Sequence, residues 1–269
     1  MSALAASTSI SILHRRLGAL VAAVALAVAA GPTQAQQAAP PPGTERDARA
    51  IDALTAMGKY LRSLKTFVVH ADTTIDEVMT TGQKLQFAGT LDYQVQAPNR
   101  LRAEVNTDRR HRQFFYDGKT LTQYAPRMKY YATVAAPATI GETMELAAQK
   151  YDVEIPLADL FLWGTPQGGI DDVTNAAYIG PARIGGRDCD HYAYRQTNVD
   201  WQVWIERGKQ PLPCKMVITT TDEPQQPQYA ATLKWDLAPK LGDATFAFVP
   251  PKDARKIDLA PFAPAAAKN

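Results

Sequence analysis

Residues 85–97 alternate between apolar and polar side chains. Leu85, Phe87, Leu91, Tyr93 and Val95 share one parity, and Gln86, Thr90, Asp92, Gln94 and Gln96 the other. A period of two is the mark of a strand with one apolar and one wet face. The pattern returns at 67–75, with Phe67, Val69, Ala71, Thr73 and Ile75 on one face, and at 100–106, 109–116, 121–125 and 128–134. It resumes at 173–184, 187–196, 200–206, 214–221 and 229–237, after an interruption. Thr81-Gly82, Asp117-Gly118, Gly185-Gly186 and Asn198 fall where turns are needed. The pattern predicts about eleven strands in antiparallel order.

Two segments break the period. Apolar residues at 50, 51, 54, 57, 61 and 64 have helical spacing and predict a helix over about 45–64, with Thr44 as its cap and Asp47 in its first turn. Ile140, Met144, Leu146 and Ala147 predict a second helix over 139–151. A very apolar connection follows at 155–163, containing Leu157, Leu160, Phe161 and Trp163 and ended by Gly164; Gly168-Gly169 forms a flexible joint. The expected fold is mainly β, one large curved antiparallel sheet with helices lying across its mouth.

The termini set the compartment. Residues 1–35 read as a secretory signal peptide: His14, Arg15 and Arg16 are basic, residues 17–30 are apolar, and Thr33 and Ala35 are small residues at −3 and −1. The apolar run is short for a membrane span, which needs about 20 residues, so a soluble, exported, periplasmic protein is expected. The expected divisions are signal peptide 1–35, flexible leader 36–44, β domain 45–250 and Pro/Ala-rich tail 251–269. The formal charge of the full chain is +2. Cleavage removes two of its 29 Lys and Arg and none of its 27 Asp and Glu. The resulting neutral surface argues against nucleic acid or an anionic membrane as a main partner.

Cys189 and Cys214 are the only cysteines. In an oxidising compartment they are a candidate disulfide, with two buried thiols as the alternative. If they start two strands separated by a third, the gap is about 9–10 Å. A disulfide needs less than about 7 Å between Cα atoms, so a bulge or strong curvature would have to close it.

Chemistry-bearing patterns are sparse. His70, His111 and His191 lack metal-ligand spacing. Asp190 and His191 are adjacent on a strand and point to opposite faces. No GxSxG, HExxH, GxxxxGK or GxGxxG occurs. The expectation is therefore no catalytic residue, no metal and no cofactor. Arg109-Arg110-His111-Arg112 is a solvated turn or a contact point for an anionic headgroup or an acidic partner. Trp201, Trp204 and Trp235 are either core or ligand-lining. The number of long strands with an apolar face exceeds what a few helices can cover, which leaves room for a partly empty apolar cavity.

The segments Cys189-Asp-His-Tyr-Ala-Tyr-Arg, Asp200-Trp-Gln-Val-Trp-Ile-Glu and Pro211-Leu-Pro resemble an uncharacterised family of predicted periplasmic proteins, over about residues 48–250. The order of elements resembles the lipoprotein-carrier fold of the Lol system, and Phe246-Ala-Phe-Val-Pro-Pro resembles the last strand of such carriers. The resemblance implies a half-open barrel with a hydrophobic cavity and a helical lid. On that expectation Phe87, Leu91, Tyr93, Val95, Leu101, Val105, Trp201, Val203, Ile205, Leu233 and Trp235 line the cavity. Met144, Leu157, Leu160, Phe161 and Trp163 form the lid, with Gly164, Gly168 and Gly169 as hinges. The expected partner is a lipid, acyl chain, lipoprotein or other apolar ligand, with transient membrane contact. The alternative is an envelope-sensing or protein-interaction module whose core fills itself.

Overall fold

The computed structural model describes residues 45–262. The expected signal peptide, the leader up to Thr44 and residues 263–269 of the tail lie outside the described residues. The chain opens with helix α1 (Ala48–Ser63) and six strands: β1 (Thr66–Val78), β2 (Lys84–Gln96), β3 (Arg100–Thr107), β4 (His111–Tyr116), β5 (Thr120–Ala125) and β6 (Tyr130–Ala135). Helix α2 (Ile140–Tyr151) and a series of short 3-10 turns at 158–172 follow. The second run is β7 (Asn175–Ile184), β8 (Arg187–Gln196), β9 (Val199–Glu206), β10 (Pro213–Thr220) and β11 (Gln228–Asp236). A two-residue strand, β12 (Arg255–Lys256), ends it.

All twelve strands form one sheet in the order β12-β6-β5-β4-β3-β2-β1-β11-β10-β9-β8-β7. The sheet is two meanders joined by one long-range pair, β1 with β11, in which Val69 faces Trp235, Ala71 faces Leu233 and Ile75 faces Tyr229. Its two edge strands are not paired with each other, so it is an open half-barrel.

The alternating pattern becomes the two faces. Ala71, Leu91, Val105 and Arg112 lie in register across β1–β4 on the inner face. On the outer face His70, Asp92, Glu104 and Gln113 form the neighbouring row. His70 Nδ1 lies 2.6 Å from Asp92 Oδ1, and His111 Nε2 2.7 Å from Glu104 Oε1. The Gly185-Gly186 turn has φ of +55° and +83°, the left-handed pair that a two-residue hairpin requires and that glycine adopts without strain.

Two expectations need correction, the cap of α1 and the strand expected at Phe246 to Pro251. Helix α1 is capped by Asp47, about one turn later than expected: its Oδ1 accepts from the Arg49 amide at 2.8 Å and its Oδ2 from the Tyr178 amide at 3.1 Å. One carboxylate therefore satisfies a helix end and the edge strand β7 together. The strand count is twelve, because β12 adds to β6, and that pair is parallel. Phe246 to Pro251 do not form a strand. Phe246 is buried, and Phe248 packs on the outer face against Phe115, Tyr124 and Tyr131 with ring centroids 5.1–5.5 Å apart. This segment leads to β12, which occupies the open edge of β6. An Arg46–Ala176 bridge covers part of β7 at the other edge. Unpaired strand edges invite aggregation, and both are guarded here.

Candidate functional site

The inner face is covered by α1, α2 and the 155–164 connection. Tyr194 donates its hydroxyl to the Ala50 carbonyl at 2.8 Å, fixing α1 to β8. The apolar connection predicted as a lid is docked into the core. Ile155, Leu157, Leu160, Phe161 and Trp163 are all buried. Trp163 stacks on Trp201 at 5.9 Å, and Trp201 stacks on Tyr194 at 4.2 Å. Phe161 meets Tyr93 edge-on at 5.3 Å. Arg62 donates to the carbonyls of Leu160 and Phe161, and Tyr93 to the carbonyl of Pro156. Met144, on α2, is buried.

Gly164 and Gly168, expected as hinges, sit at close backbone contacts. An added Cβ at Gly164 would lie 2.6 Å from the Gly58 carbonyl carbon, and one at Gly168 2.7 Å from the Leu162 carbonyl oxygen. These glycines allow backbone to pack on backbone. Gly169, at φ +62°, begins a 3-10 turn.

Six of the expected cavity residues are packed into the core, and three border clefts. Tyr93, Leu101, Trp201, Val203, Ile205 and Leu233 are 0–4% exposed and are packed by neighbouring side chains. Trp235 is half-buried against Phe67 at 5.5 Å, with its indole N–H donating to the Pro213 carbonyl at 2.9 Å. Phe87 lies under the Arg109 guanidinium. The others border two clefts. One, of about 450 Å³, lies between the end of α1 and the start of α2, with Val95 and Phe161 in its wall beside Arg62, Lys65, Ile140 and Glu142.

The second cleft, about 260 Å³, opens over β1–β5 and β11 and is bounded on the far side by residues 152–156. Its wall includes Leu91, Val105, Ile75, Phe114, Val153 and Pro156. Two polar groups in this wall lack a protein partner: the buried hydroxyl of Tyr229 and the carboxamide oxygen of Gln123. Burial pushes the Tyr229 phenol well above its ordinary value. Charged residues stand at the rim: Arg110 from the turn between β3 and β4, Arg112 from β4, Glu77 from β1, and Asp152 and Glu154 from the connection. Partial burial, then Asp152, raises the Glu154 carboxyl, with Arg110 opposing. The cleft thus combines an apolar wall, unpaired hydrogen-bonding groups and a charged mouth.

Residues 50–260 match the profile of a family described as predicted periplasmic protein (DUF2092). The chain belongs to this family. Its members are described as periplasmic, in agreement with the export expected from residues 1–35. No curated protein matches the chain. Similar solved structures include LprF from Mycobacterium bovis, 15% identical, TM-score 0.44, covering 78% of this chain and 100% of LprF. The lipoprotein LppX from Mycobacterium tuberculosis is 14% identical, TM-score 0.46, covering 73% and 100%. A LolA superfamily protein from Nitrosomonas europaea is 8% identical, TM-score 0.33, covering 74% and 97%.

In this DUF2092 chain Cys189 and Cys214 are bonded, with Cα atoms 6.9 Å apart. They lie on β8 and β10, with β9 between them. The register of β10 on β9 shifts between Pro213 and Lys215, and this irregularity at Cys214 accompanies the short crossing. Asp190 and His191 do face apart. Burial works against the Asp190 carboxylate, yet Arg207 at 2.6 Å and Tyr178 at 3.1 Å hold it below its ordinary value. His191 stacks on Trp204 at 4.0 Å and is 3.0 Å from Gln202 Oε1; burial lowers its pKa. Among the described residues, no group of three or more His, Cys, Asp or Glu is placed to hold a metal ion. No described helix is long and apolar enough to cross a membrane.

Leu91 and Val105, expected along a cavity, lie in the wall of this cleft, together with Phe114, Gln123, Val153 and Tyr229, which the sequence pattern did not single out. Tyr229 shares its strand face with Leu233 and Trp235, so its inward direction was readable. That its hydroxyl has no partner was not.

Proposed function

We propose that this protein binds and carries an apolar ligand in the periplasm, one chain of which lies in the cleft over β1–β5 and β11. The observation that carries the reading is the buried, unpartnered Tyr229 hydroxyl in a cleft whose wall includes Ile75, Leu91, Val105 and Phe114. A buried polar group without a hydrogen bond costs about 1–3 kcal/mol. A wall built only to fill itself gains nothing from a tyrosine over a phenylalanine at this position. A bound molecule with a polar group would satisfy it, while each methylene buried contributes about 0.8 kcal/mol.

The packed half of the inner face favours a second reading. Trp201, Val203, Ile205 and Leu233 are covered by the protein's own side chains, as an envelope-sensing or interaction module with a self-filled core requires. The two readings separate in a dye-displacement titration. A carrier shows apolar-dye fluorescence that fatty acid displaces, and Val105→Trp, which fills the cleft, lowers dye affinity with the thermal transition retained. A self-filled module shows no saturable dye binding.

A further inference from the structure

The charged mouth of the cleft has a definite arrangement. Arg109 is engaged: its Nη1 lies 2.6 Å from Glu77 Oε2, and its guanidinium lies 5.2 Å from the Phe87 ring. Arg110 and Arg112 have no ion pair within 4.0 Å among the described residues, and Arg112 donates only to the carbonyl of its neighbour His111, at 3.1 Å. Arg112 is half-buried, and its pKa is lowered first by burial and then by Arg110. Two guanidiniums are thus held together at a cleft mouth without a carboxylate in contact.

The sheet register gives the direction. Leu91, Val105 and Arg112 are successive partners in one inner row, so a chain lying along Leu91 and Val105 ends at Arg112. Gln123 stands opposite Phe114 one row further along. The opposing acidic groups are Glu77, which is taken by Arg109, and Asp152 and Glu154 on the far rim; Arg110 acts on the Glu154 carboxyl across the mouth without forming an ion pair with it. Guanidiniums bind phosphate and carboxylate through paired N–H donors, which is the chemistry this mouth lacks a partner for.

We propose that Arg110 and Arg112 hold the anionic head of a single-chain amphiphile whose chain lies along Leu91 and Val105. The proposal rests on the carrier reading and narrows its ligand class.

The test is a set of affinities, measured below micelle-forming concentration, for four probes with the same twelve-carbon chain. They are dodecyl phosphate, dodecanoate, monododecanoylglycerol and dodecyltrimethylammonium. The wild-type protein is expected to bind the two anions on the order of tenfold or more tighter than the neutral probe. Which anion binds more tightly tells a phosphate head from a carboxylate. R110Q/R112Q should abolish this preference and leave the neutral probe's affinity unchanged. Equal binding of anionic and neutral probes by the wild type overturns the proposal while leaving the carrier reading intact, as does tightest binding of the ammonium. Binding of none of the four defeats the carrier reading itself. If the half-buried Arg112 cannot be replaced without unfolding, R110Q alone should reduce the preference. Added salt should then weaken wild-type binding of the anions and spare the neutral probe; a salt-independent preference overturns the assignment.

Discussion

Gly58→Ala tests how the 155–164 connection is locked against the sheet. In an ordinary helix interior this change stabilises by about 1 kcal/mol, because alanine loses less backbone freedom on folding. At Gly58 the new Cβ would lie 2.6 Å from the Gly164 nitrogen, 3.0 Å from its Cα and 3.0 Å from the Trp163 carbonyl carbon. All three are backbone atoms, so no side chain can swing aside. Relief requires α1 and the connection to separate, which disturbs the Trp163–Trp201 stack at 5.9 Å. Overpacking of this kind costs about 1–3 kcal/mol, and the aromatic pair contributes about 0.5–1.5 kcal/mol more. Set against the propensity gain, net destabilisation is about 1–3 kcal/mol. In urea, with a slope of about 2 kcal/mol per molar, the midpoint should fall by roughly 1 M. Gly141→Ala on α2 is the internal control: its nearest heavy atom is 3.7 Å away, at a leucine methyl. That variant should hold or raise the midpoint. A midpoint raised by Gly58→Ala as much as by Gly141→Ala would refute the clamp.

Trp201→Ala should cost about 3–5 kcal/mol in urea unfolding, because Trp201 is 2% exposed between Trp163 and Tyr194; a loss below about 1 kcal/mol would contradict its core placement. Replacing Cys189 and Cys214 together by serine should destabilise by about 3 kcal/mol, since the bond closes a separation of 25 residues; reduced wild type and the double variant should then unfold at the same midpoint. The pKa of His70 is raised, first by its hydrogen bond to Asp92. Its contribution is therefore fully present below the ordinary imidazole value of about 6.5 and is lost as pH rises through the folded-state value. The melting-temperature gap between wild type and His70→Gln should shrink from pH 5.5 to pH 8.5, by a small amount because the side chain is 36% exposed. A gap that widens would reverse the assignment.

Local pattern and long-range closure differed in how far they could be read. The alternation at 85–97 and 200–206 specified which side chains face inward, because a strand leaves them no other choice. The helical spacing at 140–147 specified α2; that Thr139 caps it emerged only in the structure. Pairing of β1 with β11 joins residues about 160 positions apart, and no local period encodes such a contact. The cap of α1 was misplaced because Asp47 answers to the edge strand as well as to the helix, a tertiary demand invisible around Thr44. Phe246 and Phe248 looked like strand residues, but their partners are on the outer face: Phe115, Tyr124 and Tyr131. At the site, hydrophobicity marked Trp201 and Val105 alike as inward-facing. Only packing separates them, because the connection at 155–164 fills the space above Trp201 and stops short of Val105. The basic run at 109–112 was visible, but only the structure shows that Glu77 takes Arg109 and leaves Arg110 and Arg112 unpaired.

Photolabelling with a diazirine-bearing fatty acid, followed by peptide mapping, tests the occupancy of the cleft most directly. The account predicts saturable labelling, displaced by unlabelled fatty acid, on peptides carrying Leu91, Val105, Phe114 and Val153. Labelling confined to the cleft between α1 and α2, or labelling that competitor does not displace, would contradict it.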